Sequence, residues 1–233
     1  MFIKFFNHNL INFLFVKIKL IIFSIMSEKS SQDWIKIILL GESGVGKTNL
    51  INAITGKDFD LNTRSSLTSS YTKGVISIGD KEHTYILWDT AGQENYRSLN
   101  KIFIKNSKIV IFVYSIDNYD SFKELDYWIE TVQNELEGGE FLSAIVGNKF
   151  DLLDKQVVSD EEAENYAKKH NMKFKYTSAL ADQIGFKNFV DELIRDYIKT
   201  LSPQDNKNKN GKNNSIVLNP KKAKNKKNRK CCN

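Results

Sequence analysis

The chain has 233 residues, with 34 Lys and Arg against 28 Asp and Glu and a formal net charge of +6. That length supports one domain of ordinary size with spare residues, or two small ones, and either buries a substantial core. Two prolines, twelve glycines and only two cysteines, adjacent at Cys231 and Cys232, exclude collagen-like chains, disulfide scaffolds and cysteine-ligated zinc modules, and point to a reducing compartment.

Charge divides the chain in three. Residues 1–26 hold Lys4, Lys17 and Lys19 and no acid, for +3; residues 27–201 carry 21 basic and 27 acidic residues, for −6; residues 202–233 hold ten basic residues against Asp205 alone, for +9. The organisation implied is an acidic folded domain over 27–201 between an apolar leader, 1–26, and a basic Asn/Lys-rich tail, 202–233, expected to be disordered. Asn7, His8, Asn9, Asn12, Lys17 and Lys19 interrupt the leader. It therefore has no run of the roughly 18 apolar residues that a spanning helix requires. No small-x-small cleavage site follows it. Met26 opens a polar stretch, so the leader reads as the product of a mis-set start upstream of a true initiator at Met26.

Within 27–201 short apolar runs alternate with helical periodicity. In chain order they are a strand Ile35–Leu40, a helix Asn49–Thr55, two alternating stretches joined by a Gly79-Asp80 turn, and strands Tyr85–Trp88 and Ile109–Tyr114. A helix Ser121–Glu137, a strand Phe141–Val146 and helices Glu161–His170 and Phe186–Leu201 complete the pattern, with Ser159 and Glu162 forming a capping box. The order predicts an α/β fold: a mostly parallel sheet, one antiparallel edge strand and helices on both faces. Ligands of such sheets bind beyond the carboxyl ends of the strands.

At the first of those ends the strand runs into Gly41-Glu42-Ser43-Gly44-Val45-Gly46-Lys47-Thr48, a G-x-x-x-x-G-K-[ST] loop in strand–loop–helix context. Its glycines allow backbone N–H groups to face phosphate oxygens, and the helix through Asn49 adds its positive end. Lys47 is the residue for the β- and γ-phosphates, and the Thr48 hydroxyl for Mg²⁺. Phosphate recognition says nothing of the base. That is specified by Asn148-Lys149-Phe150-Asp151 after the strand Phe141–Val146. An aspartate there accepts from the N1–H and 2-amino group of guanine, whereas adenine offers neither donor and would leave the carboxylate unpaired.

Asn148 to Asp151 match N-K-x-D. With Trp88-Asp89-Thr90-Ala91-Gly92-Gln93-Glu94 and Thr177-Ser178-Ala179 in order, the chain from Trp34 to Leu201 resembles a small GTPase of the Ras superfamily, and within it the Rab branch. The resemblance implies a P-loop small G domain with a six-stranded sheet that hydrolyses GTP to GDP and phosphate, with Mg²⁺ as cofactor. Asp89 would hold Mg²⁺ through water, the Gly92 N–H would sense the γ-phosphate and Gln93 would orient the attacking water. Lys149 would lie along the base, Ala179 would donate a backbone N–H to it beside Ser178 and Leu180, and Phe59 would pack edge-on against it. Without an arginine in the phosphate loop, turnover should be slow and an activating protein needed.

The segment Lys57–Tyr71 departs from the family. Ser66 stands where a threonine ligates Mg²⁺, keeping the hydroxyl without the stiffening methyl. The family's I-G-x-x-F becomes Leu67-Thr68-Ser69-Ser70-Tyr71, and its Y-Y-R-G-A becomes Phe103-Ile104-Lys105-Asn106-Ser107. The Lys-rich stretch before Cys231 and Cys232 is similar to the lipid-attachment end of Rab proteins, and Ile216-Val217-Leu218 to their escort-binding motif. Implied partners are an exchange factor, a GTPase-activating protein, the Rab escort protein, the GDP dissociation inhibitor and effectors. Implied too are prenyl anchoring to the cytoplasmic face of an intracellular or plasma membrane, exchange with cytosol, and a monomer. An acidic domain without a basic aromatic groove argues against nucleic acid. A GTP-binding scaffold with an altered switch, or a Ras-type signalling GTPase, is the rival reading.

Overall fold

The computed structural model describes residues 34–56, 70–90 and 97–201. The apolar leader and the basic tail lie outside these residues. The described elements run β1 (Ile35–Leu40), α1 (Lys47–Ile54), β2 (Ser70–Ile78), β3 (Lys81–Asp89), α2 (Arg97–Ile104), β4 (Ile109–Ser115), α3 (Tyr119–Lys123), α4 (Leu125–Glu135), β5 (Leu142–Asn148), a 3₁₀ stretch Phe150–Lys155, α5 (Asp160–His170), β6 (Lys173–Tyr176) and α6 (Gln183–Leu201). Among them no helix is long and apolar enough to cross a membrane.

The strands form one six-stranded sheet in the order β2-β3-β1-β4-β5-β6. Only β2 is antiparallel, paired with β3 through the Gly79-Asp80 turn; β3, β1, β4, β5 and β6 all run the same way. β4 and β5 are buried along their full length, as strands covered on both faces must be. One face carries Ile37, Leu39, Ile111, Val113, Ala144 and Val146 against Leu50 of α1 and Phe186, Val190 and Ile194 of α6. On the other face α4 packs against β4, and Tyr114 of β4 meets Phe122 of α3 edge-on at 5.0 Å. Each fully buried Leu or Ile contributes about 1.5–3 kcal/mol, so these two layers supply most of the driving force.

Helix boundaries differ from the sequence pattern where caps decide them. The single helix expected at Ser121–Glu137 is two, because Asn118 caps from outside by accepting from the Ser121 N–H at 3.1 Å and Glu124 flattens to ψ −9°. Hydrogen bonds from Glu124 to Asp120 and from Trp128 to Glu124 continue across, so the junction is a bend. The chain then turns through Gly138, at φ +77°. α6 begins at Gln183 rather than Phe186, since Asp182 accepts from the Gly185 N–H at 2.8 Å. α1 likewise starts at Lys47, two residues before the expected Asn49.

Candidate functional site

Because five strands are parallel, their carboxyl ends deliver Gly41, Asp89-Thr90, Ser115, Asn148 and Thr177 to one edge of the sheet. The loop Gly41–Gly46 leaves β1 so close to β4 that a Cβ on Gly41 would lie 2.0 Å from the Val113 carbonyl oxygen. Gly46, in the left-handed region at φ +94°, leads into α1. Lys47 is buried, and its ammonium donates to the carbonyls of Gly41 at 2.9 Å and Glu42 at 2.8 Å, inside the curl of the loop. Burial pushes its pKa down to about 8, against the opposing pull of Asp89 and Glu42.

One residue on, the Thr48 hydroxyl donates to Asp89 Oδ2 at 2.8 Å. Asp89 ends β3 and is buried; the Thr90 hydroxyl next to it donates to the Leu39 carbonyl at 2.7 Å, locking that strand end to β1. The hydroxyl and carboxylate are therefore fixed together beside Lys47.

A second loop pair is joined to the first by Asn148. Its amide donates to the Val45 carbonyl at 2.8 Å and its Oδ1 accepts from the Thr177 hydroxyl at 3.4 Å, so one buried side chain spans both. Asp151 Oδ1 accepts from the Ser178 hydroxyl, which itself accepts from the Ala181 N–H at 2.9 Å. Phe150 stacks on Tyr176 at 4.6 Å and donates its N–H to the Thr177 carbonyl. Lys149 sits at φ +65°, and its ammonium lies 3.5 Å from Asp117 Oδ1, which also accepts from the Ser115 hydroxyl. Burial pushes the Asp117 carboxyl up, but the Ser115 hydroxyl and the Lys149 ammonium outweigh it and hold it below the usual carboxylate range.

Residues 36–199 match the sequence model of the Ras family. The chain belongs to the Ras family of small GTPases. In this Ras-family GTPase the residues expected to meet phosphate, Gly41, Ser43, Gly44, Val45, Gly46, Lys47, Thr48, Asn49 and Asp89, lie at the end of β1, in the first turn of α1 and at the end of β3, and those expected to meet the base, Asn148, Lys149, Asp151, Ser178, Ala179 and Leu180, lie at and past the ends of β5 and β6. Phe59, Ser66, Gly92, Gln93, Cys231 and Cys232 lie outside the described residues. Ras-family GTPases bind GTP or GDP with Mg²⁺, and the residues fit that ligand. The loop already holds a buried ammonium, and the Thr48 hydroxyl and Asp89 carboxylate are adjacent hard-oxygen donors. Among the described residues no three His, Cys, Asp or Glu gather.

Sequence reasoning missed Asp117 in the site and, away from the site near the start of β1, the contacts of Lys36. Asp117 belongs to no motif, and only the β4–β5 register puts it beside Lys149. Lys36, on β1, donates to the Lys105 carbonyl at 2.7 Å just past α2, and its ammonium lies 5.4 Å from the Trp88 ring. Trp88 sits in a row with Tyr71 and Phe103, centroids 5.4 and 5.1 Å apart. Burial brings the Lys36 pKa down to about 8.

Proposed function

We propose that this small GTPase is a Rab-like GTP/GDP switch in vesicle and membrane trafficking, held at a cytoplasmic membrane surface by lipid on Cys231 and Cys232. The observation that carries the switch reading is the Thr48–Asp89 contact at 2.8 Å beside Lys47. Thr48 and Asp89 would hold Mg²⁺, which when bound neutralises charge on the β- and γ-phosphates. The segment with Gly92 and Gln93 starts immediately after Asp89-Thr90, so the carboxylate and the proposed γ-phosphate sensor are contiguous in the chain. In the proposed cycle Ser66 and Gly92 engage the γ-phosphate and release it on hydrolysis, and effectors read the ordered form.

The Rab assignment is supported by the order of motifs and by seven Lys or Arg within residues 221–230 before the paired cysteines. Two lipid chains plus basic charge give stable anchoring where one chain is marginal. Localisation of an N-terminally tagged protein tests it: membrane signal with Cys231 and Cys232 intact, diffuse signal with both replaced by serine. Diffuse signal in both would refute the anchor.

The changes at Ser66 and Leu67–Tyr71 favour a second reading, a GTP-binding scaffold that hydrolyses weakly. Single-turnover GTP hydrolysis separates the two. A working switch speeds up with an activating protein and slows in Gln93→Leu; a scaffold's weak hydrolysis responds to neither.

A further inference from the structure

We propose that Asp117 is a positioning residue that acts through Lys149, and that the Asp117–Lys149 pair sets how long the guanine nucleotide stays bound; this rests on the nucleotide reading of the site. Asp117 follows the end of β4, and Lys149 follows the end of β5. The last residues of those strands, Ser115 and Asn148, are register partners, and the Ile116 N–H donates to the Asn148 carbonyl at 3.1 Å. The two loops therefore leave the sheet side by side.

The Asp117 carboxylate is not free to wander. The Asn118 N–H donates to the Ser115 carbonyl at 3.0 Å, the Ser115 N–H donates to the Ser121 hydroxyl at 3.0 Å, and the Asn118 side chain caps α3. A turn bonded this densely holds Asp117 in one place. Its Oδ1 takes the Ser115 hydroxyl on one side and faces the Lys149 ammonium on the other.

Lys149 is thus held at both ends. Its backbone is fixed in the left-handed region, a conformation costly for a side-chain-bearing residue and kept only when the surroundings enforce it. Its ammonium is tethered to Asp117. A lysine stem tethered this way has already given up the rotamer freedom that it would otherwise lose when a base packs along it. The pair is a quarter to a third exposed, so it adds little to folding stability and its effect falls on the ligand.

Release of a fluorescent GDP analogue (mant-GDP) from the full chain, chased with excess GDP, tests the proposal in Asp117→Ala, Asp117→Asn, Lys149→Ala and the double variant Asp117→Ala/Lys149→Ala. Asp117→Ala should release about tenfold faster than wild type, the scale of a coupled contact. Asp117→Asn, which keeps the acceptor oxygen without the charge, should fall between, and its isosteric shape keeps the test available if the alanine variant does not fold. The double variant should release no faster than Lys149→Ala, and melting temperatures of the nucleotide-free variants should not move, while those of the GDP-loaded ones fall with the weaker binding. Wild-type release rates in both Asp117 variants, or additive effects in the double variant, would overturn the proposal. A wild-type chain that binds no mant-GDP would overturn the nucleotide reading itself, a failure distinct from the other two.

Discussion

Lys47 is the residue whose chemistry the fold alters most. A buried lysine prefers to lose its proton, which is why its pKa falls from 10.5 to about 8 despite the pull of Asp89 and Glu42. Between those values the unfolded chain binds the proton and the folded chain does not, so this group makes the nucleotide-free protein more stable as pH rises through that window. A polyphosphate at the ammonium reverses the shift by direct attraction. Binding of GDP at pH about 9 should therefore take up close to one proton, and at pH about 7 almost none. Calorimetry in buffers of different ionisation heat measures this, and equal uptake at both pH values would contradict it. The glycines of the same loop separate close approach from backbone conformation. A Cβ at Gly41 would meet the Val113 carbonyl at 2.0 Å, whereas one at Gly44, φ +78°, would meet nothing within 4 Å. Gly44→Ala should cost about 1–2 kcal/mol, the left-handed penalty alone. Gly41→Ala has to move a strand and should cost more than twice that in urea unfolding.

At the scale of elements, caps carry much of the local specification. Ser159 is the N-cap of α5 and accepts from the Glu162 N–H at 3.2 Å, as its capping box predicts. Asp160, Glu161 and Glu162 in the first turn and Lys168, Lys169 and His170 in the last complement the helix dipole. Ser159→Ala should destabilise the protein by about 1 kcal/mol, read as a lower urea midpoint with unchanged slope. That cap was legible because its residues are contiguous in the sequence, as were the phosphate loop and Asn148–Asp151. The helix α2 was not, because Arg97-Ser-Leu-Asn-Lys-Ile-Phe-Ile lacks a clear start and is held by Lys36 and by the Trp88–Phe103 contact, both distant in sequence. β6 is four residues of Lys-Phe-Lys-Tyr, too short for periodicity to mark as a strand. Asp117 was hidden for the same reason as α2: its partner lies 32 residues away, and only the sheet register joins them.

At the scale of the whole molecule the charge of +6 describes no single surface, since 27–201 carries −6 and 202–233 carries +9. These regions should behave oppositely toward an anionic bilayer. An acidic domain is repelled, while each Lys or Arg near such a surface gains about 1 kcal/mol within a Debye length. Unlipidated full-length protein should therefore bind vesicles containing phosphatidylserine and ignore neutral phosphatidylcholine vesicles. Raising salt from about 0.05 to 0.5 M, which shortens the screening length severalfold, should release it. Replacing Lys221, Lys222, Lys224, Lys226, Lys227, Arg229 and Lys230 by glutamine should abolish the binding, while GDP affinity, which depends on residues of 27–201, stays at the wild-type value. Co-sedimentation reads the first and mant-GDP titration the second. Vesicle binding that survives both the substitutions and high salt would place the attraction in the apolar leader, which carries only three charges to screen.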